Sequence, residues 1–282
     1  MARKTADEKE ILKVFLKDLP VAHALARSCE AIAFAGKKLE PPILDIGCGD
    51  GVFAAACFGK KGIDTGLDFN SAEIKLARRR GAYKKVVVGE AGRMPFAGDS
   101  FSTVISNSVF EHLPDHDRVF SEINRVLKRG GKLMFTVPNE RTKQHYVLGN
   151  SLRAMGFSKA GSAYINWKNR LWQQELYPKK YWIKLLEQNN FRVREASEFV
   201  DPKVVVTMDL LMPVSALQYF LKKLFKRWVI LRPEWVNAWL ADLLVLKVDS
   251  RVGRNGVSCY FEAEKYRSGW GKHHGEYGKQ AA

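Results

Sequence analysis

The 282-residue chain predicts an α/β fold with a seven-stranded sheet wound on both faces, its last strand antiparallel. Three observations predict it. Short apolar runs alternate with helical patterns through residues 42–138, as a parallel sheet with crossover helices requires. One run, Pro42–Ile46, breaks into Gly47, Gly49 and Gly51 before a helical stretch begins at Val52. Such a strand–turn–helix junction points backbone N–H groups at a ligand, and glycine allows both the turn and a close approach. The composition, 46% hydrophobic and 27% charged, is that of a globular protein with a full core.

Two helices precede the first strand. Thr5-Ala6-Asp7-Glu8 reads as a capping box, with Ile11, Leu12, Phe15 and Leu16 as an apolar stripe behind it. The stripe fits core packing or substrate contact. A second helix spans 21–34 and stops before Gly36, so residues 1–40 form an N-terminal helical segment. Strand 1 follows Pro41-Pro42, and strand 2 is Ile63–Asp68, ending 17 residues past Gly51. A helix covers 71–80, and strand 3 runs over 85–89. Strand 4 ends at Ser106, and a helix with Val119, Phe120, Ile123 and Leu127 on one face runs from Asp115 to Lys128. Arg129-Gly130-Gly131 ends that helix, and strand 5 covers 132–138.

These motifs, taken in order, resemble the class I S-adenosylmethionine-dependent methyltransferases, of the small-molecule type. Asp45 followed by Gly47-Cys48-Gly49-Asp50-Gly51 resembles their first motif. Gly89-Glu90-Ala91…Pro95-Phe96 resembles their Gly-Asp-Ala…Pro-Phe pattern, with Glu90 in place of aspartate. Glu111-His112-Leu113 resembles the stretch that follows strand 4 in this group. The resemblance implies a Rossmann-like sheet, S-adenosyl-L-methionine as cofactor, and a small or lipid-linked methyl acceptor. It implies cofactor-binding roles for Asp45, Gly47, Cys48, Gly49, Gly51, Asp68, Phe69, Glu90, Ala91 and Asn107. Asp68 would accept hydrogen bonds from the ribose hydroxyls, Phe69 would pack on adenine, and Glu90 would meet the adenine amino group. Asp68 also fits as a cap of the next helix. Ser102 stands where the family has an aspartate on strand 4.

An oxygen acceptor can use a general base, and His112, just past strand 4, is the catalytic candidate; a packing histidine is the other reading. Val52 stands where a dinucleotide-binding turn needs its third glycine, which disfavours a nicotinamide-dependent oxidoreductase. Pro114 between His112 and His116 argues against a shared metal-binding face, and Asp115 and Asp117 read as helix N-terminal acids. Ser106-Asn107-Ser108-Val109 lacks the Asn/Asp-Pro-Pro-aromatic motif of base-amine methyltransferases, and the stretch just after strand 4 carries no catalytic cysteine of the base C5 methyltransferases. An RNA substrate therefore ranks lower, although the net charge of +16 keeps it open. A fold-retaining scaffold without catalysis is the other alternative.

The charge is uneven: residues 1–140 hold 22 Lys/Arg against 18 Asp/Glu, and residues 141–282 hold 24 against 12. Two insertions interrupt the last strands. Residues 139–177 follow strand 5 and are rich in aromatics. A helix from Pro178 leads to strand 6 at 191–196. Residues 201–255 follow it with a long apolar run that carries Lys222, Lys223, Lys226, Arg227 and Arg232. Three readings fit 201–255: a helix lying on an anionic membrane through 203–250, a lid over a lipid-like substrate, or added core. The last strand, 257–263, alternates as an edge or an antiparallel strand does, and a basic tail at 267–282 reads as mobile. The polar N-terminus and the unpaired spacing of Cys29, Cys48, Cys57 and Cys259 lead us to expect a reduced, cytoplasmic protein, single-domain over 1–282, with peripheral membrane contact as an option.

Overall fold

The computed structural model describes residues 2–171, 174–211, 232–245, 248 and 255–266. The chain enters through α1 (Ala2–Asp18) and α2 (Val21–Phe34). Strands and helices then alternate: β1 (Ile43–Ile46), α3 (Val52–Phe58), β2 (Ile63–Asp68), α4 (Ser71–Arg80), β3 (Tyr83–Val88), β4 (Phe101–Asn107), α5 (His116–Val126) and β5 (Leu127–Pro138). The first insertion contains α6 (Val147–Ala154) and α7 (Ser158–Leu171). Then come α8 (Lys179–Gln188), β6 (Phe191–Phe199), α9 (Pro202–Leu210), α10 (Glu234–Leu244) and β7 (Ser258–Lys265). The sheet order is β3-β2-β1-β4-β5-β7-β6. The first five strands are parallel, and β7 runs antiparallel to both neighbours. The last strand is therefore antiparallel and interior, not an edge.

Side-chain alternation divides the core between the sheet's faces. On one face Leu44, Ile46, Leu133, Phe135 and Val137 meet α5 and α8, where buried Trp182 packs among Phe110, Phe120 and Phe135. On the other, Ile43, Ile105 and Met134 meet α1 to α4. Leu12, Phe15 and Leu16 of α1 are fully buried there, so the predicted stripe is core. Each such side chain contributes roughly 1.5–3 kcal/mol.

Three local expectations are corrected. Helix α1 begins at Ala2, so Thr5–Glu8 lie inside it and not at its start. The segment Arg129–Gly131 belongs to β5: α5 stops at Val126, and Leu127 already pairs with Phe101 before a bulge carries the register to Thr103 and Lys132. Gly130, at φ +74°, makes the bulge instead of a helix cap. Strand β3 also starts two residues early, at Tyr83, paired with Ile63. Asp115 does cap α5, its Oδ1 accepting from the Arg118 N–H at 3.1 Å. Among the described residues no helix is long and apolar enough to cross a membrane. The apolar run at 212–231 and the tail at 267–282 lie outside the described residues.

Candidate functional site

The glycine turn is fastened to the neighbouring strand before any ligand is considered. The N–H groups of Gly47 and Cys48 both donate to the Leu67 carbonyl, at 2.8 and 3.0 Å. Gly49 N–H donates to Asp68 Oδ2 at 2.9 Å, and Asp68 Oδ1 accepts from Asn70 N–H at 2.8 Å. Asn70, not Asp68, is the side chain that caps α4. Gly47 has φ +71°, and a Cβ there would stand 2.4 Å from Val109 Cγ2, so the residue after β4 packs directly on the turn. Over Gly49 a Cβ would meet nothing within 4 Å, leaving open space above the backbone.

Asp45 is buried at the base of the turn and accepts from the Tyr83 hydroxyl at 2.7 Å. Burial pushes its carboxyl up to about 7. Burial likewise pushes the Cys48 thiol up, so it stays protonated. At the end of β4, Asn107 donates from Nδ2 to Glu30 Oε2 at 2.7 Å and accepts from Thr136 Oγ1 at 2.7 Å.

These residues surround a cavity of about 230 Å³, lined by Asp45, Gly47, Cys48, Gly49 and Asn107 together with Phe53. Five of the ten expected cofactor residues thus share one cavity wall. Gly51, Asp68, Phe69, Glu90 and Ala91 lie outside that lining. Gly51 instead lets α3 begin against Tyr83 and Ala77. Asp68 reaches the turn through Gly49, and Phe69 projects into solvent at 74% exposure. Glu90 is exposed beyond Gly89, whose N–H donates to the Asp68 carbonyl at 3.0 Å; Ala91 is half-buried against the core.

A second cavity of about 370 Å³ adjoins the first, and His23 and Arg27 of α2 line both. Its apolar wall includes Ala22, Ala26, Val200, Val205 and Met208, and its polar wall includes Glu30, Glu111, His112, Lys168 and Gln174. Glu30 is buried and accepts from Arg27 Nη1 at 2.5 Å, Asn107 Nδ2 at 2.7 Å and Ser108 Oγ at 2.7 Å. Glu111 is buried, its Oε2 has no hydrogen-bond partner among the described residues, and burial pushes its carboxyl up to about 8. Its Oε1 stands 3.8 Å from His112 Nε2, on a turn where the His112 side chain is 41% exposed. Deeper, the Lys168 ammonium pairs with Asp209 and lies 3.9 Å over the Tyr146 ring, and burial lowers its pKa. His116 is structural: its ring nitrogens meet the Tyr181 hydroxyl at 2.8 Å and the Phe110 carbonyl at 2.7 Å.

Sequence reasoning missed the contribution of α2. Its signal was present: in an otherwise apolar helix, His23, Arg27 and Glu30 recur at spacings of four and three, one polar stripe. The pair Lys168 and Asp209 had no local signal, since the two residues belong to different insertions.

Residues 44–135 match the family model described as a methyltransferase domain. Over 99 residues the chain is 35% identical to a malonyl-[acyl-carrier protein] O-methyltransferase of Legionella pneumophila, covering 33% of this chain and 35% of that one. Over 125 residues it is 35% identical to a sterol 24-C-methyltransferase of Pneumocystis carinii, covering 42% and 33%. The chain thus spans about a third of the length of these two curated relatives. Its fold is similar to a solved SAM-dependent methyltransferase structure from Thermotoga maritima, with TM-score 0.54 and 18% identity over 87% of this chain and 91% of that one.

Proposed function

We infer that this chain, whose residues 44–135 carry a class I S-adenosylmethionine-dependent methyltransferase domain, transfers a methyl group to a small or lipid-linked acceptor, with oxygen as the foremost accepting atom. The observation that carries this is the pair of adjoining cavities: one over the glycine turn, one apolar-walled, sharing His23 and Arg27.

The residues present fit the cofactor. The open space above Gly49 admits the group where any side chain would intrude, and the Asp68 carboxylate stands beside it as an acceptor for ribose hydroxyls. Exposed Phe69 offers a face for adenine, while Glu90 and the Ala91 backbone lie past the next strand, where the base would extend. When bound, the cofactor supplies an activated methyl on a sulfonium. What remains for the protein is to orient an acceptor, exclude water and hold its proton. The larger cavity suits an acceptor with an apolar body and a polar reacting end, since apolar Val200, Val205 and Met208 share its wall with polar Glu30, Glu111 and His112. Isothermal titration with S-adenosyl-L-methionine tests the reading: no binding at about 1 mM, the weak end of specific recognition, would falsify it. Mass spectrometry of lipid and small-molecule extracts incubated with methyl-labelled cofactor would then identify the acceptor.

One observation favours membrane-surface contact as well, which suits a lipid-linked acceptor. Trp235, Trp239 and Leu243 recur every four residues on α10 and are 73%, 60% and 58% exposed, while Ala241 and Leu244 on its other side are buried. Aromatic residues in such a stripe favour the bilayer interface.

A further inference from the structure

His23 and Arg27 stand one helical turn apart on α2, and each lines both cavities. With the cofactor in the smaller cavity and the acceptor in the larger, the methyl crosses at this seam, because donor sulfur, methyl carbon and accepting atom must be nearly collinear. A hydroxyl acceptor gives up its proton at the same place. Arginine keeps its charge and is a poor base there; Arg27 moreover already donates to Glu30 at 2.5 Å. Histidine both accepts and releases protons near neutral pH.

We propose that His23 is the base of this reaction, a catalytic residue that takes the proton of the acceptor hydroxyl. This rests on the methyl-transfer reading above. The acceptor oxygen forms a bond to the methyl carbon as the carbon–sulfur bond breaks, and the electron pair of that bond stays on sulfur. The hydroxyl proton passes to an imidazole nitrogen of His23. One sulfonium cation is replaced by one imidazolium cation, so the charge in the site is conserved.

The rival groups fit less well. His112 lines the larger cavity but not the smaller, and its side chain is 41% exposed. Glu111 also lines only the larger cavity, and its carboxyl, pushed up to about 8, already holds a proton at neutral pH. The titratable and charged groups that line the two cavities with His23 come from several elements: Arg27 and Glu30 from its own helix, Asp45, Cys48 and Asp50 from β1 and the glycine turn, Glu73 from α4, and Glu111, His112, Tyr146 and Lys168 from the far wall.

The test needs no acceptor. The full chain, labelled with 15N-histidine, is titrated by NMR with saturating S-adenosyl-L-methionine and, separately, with S-adenosylhomocysteine, which lacks the methyl and the sulfonium charge. His23 is assigned by through-bond connectivity and by His23→Gln. A unit positive charge about 6 Å away lowers an imidazole midpoint by roughly half a pH unit even at the dielectric constant of water. The expected result is a His23 midpoint lower by at least that much in the sulfonium complex, with a smaller change at His112. Equal His23 midpoints in the two complexes, or a midpoint below about 4 in the S-adenosylhomocysteine complex, overturn the base while leaving methyl transfer standing. Absence of calorimetric binding by both nucleosides removes the methyl-transfer reading and this inference with it.

Discussion

Glu30 of α2 and Asn107 at the end of β4 lie 77 positions apart and share a hydrogen bond of 2.7 Å. The contact holds a helix from outside the matched domain against the carboxyl edge of the sheet. Asn107 is held in turn by Thr136 of β5, and Ser108 and Arg27 complete the shell around Glu30. The roof of both cavities is therefore fastened by one buried carboxylate.

Replacing Glu30 with alanine removes a charged acceptor from three donors. Hydrogen bonds to charged groups contribute about 1.5–3 kcal/mol each, and shared ones do not add. Glu30→Ala is expected to lower unfolding free energy by about 2–4 kcal/mol in urea titration, on the same scale. A change under about 0.5 kcal/mol, typical of a surface site, would show that the fastening is incidental.

Asp68 joins the glycine turn to the proposed ribose site. Asp68→Ala is expected to weaken S-adenosyl-L-methionine binding by roughly 1–3 kcal/mol, or about five- to 150-fold in Kd. Calorimetry measures it, and an unchanged Kd refutes the ribose role.

Glu111 ties stability to pH with a definite sign. Its carboxyl rises from the ordinary 4.5 to about 8 in the folded chain, so the folded state holds a proton that the unfolded state has lost in between. Its stabilising share is complete below about 4.5 and is lost as pH rises towards 8, at about 1.4 kcal/mol per unit. Glu111→Gln should therefore match the parent near pH 4 and exceed it by a few kcal/mol near pH 8. Parallel stability curves across that range would contradict the buried, protonated carboxyl.

Gly161 is where α7 comes close to α6. A Cβ there would stand 2.4 Å from the Gly149 carbonyl oxygen and 3.1 Å from Arg153 N, both backbone atoms. Gly161→Ala should cost about 1–3 kcal/mol through overpacking, although alanine is the better helix former. A stabilised variant in thermal unfolding would mean the two helices part freely.

The exposed stripe of α10 makes a prediction at the membrane. Trp235→Ala with Trp239→Ala should reduce co-sedimentation with phosphatidylglycerol-containing vesicles severalfold and leave Tm unchanged, because neither side chain is buried. No sedimentation of the parent chain would remove the membrane proposal.

The chain was most legible where a signal is local. Strand β2, α2 and α4 fall at the expected residues because Gly36, Asn70 and Gly81 punctuate them within a few positions. The glycine turn was legible as a strand–turn–helix junction for the same reason. Leu127–Gly131 was misread because its conformation depends on pairing with β4: in isolation Gly130-Gly131 resembles any helix stop. The site's second wall was hidden for a related reason. His23, Arg27 and Glu30 form a visible stripe, but only the docking of α2 over β4 gives it a cavity to face. Lys168 and Asp209, 41 positions apart, meet only when both insertions fold.

The antiparallel course of β7 places Pro138, where β5 ends, opposite Ser258, where β7 begins, and Ser258 also pairs with Phe199 at the end of β6. The first insertion thus leaves the sheet at the rim where the second both leaves and re-enters it, and Pro138, Val200 and Ser258 line the larger cavity there. The hydrogen bonds given above for the glycine turn have no partner in either insertion. On the proposed function, the part of the acceptor wall that these two segments supply can be varied apart from the glycine turn, so grafting them onto a related domain is a direct route to altering an acceptor preference.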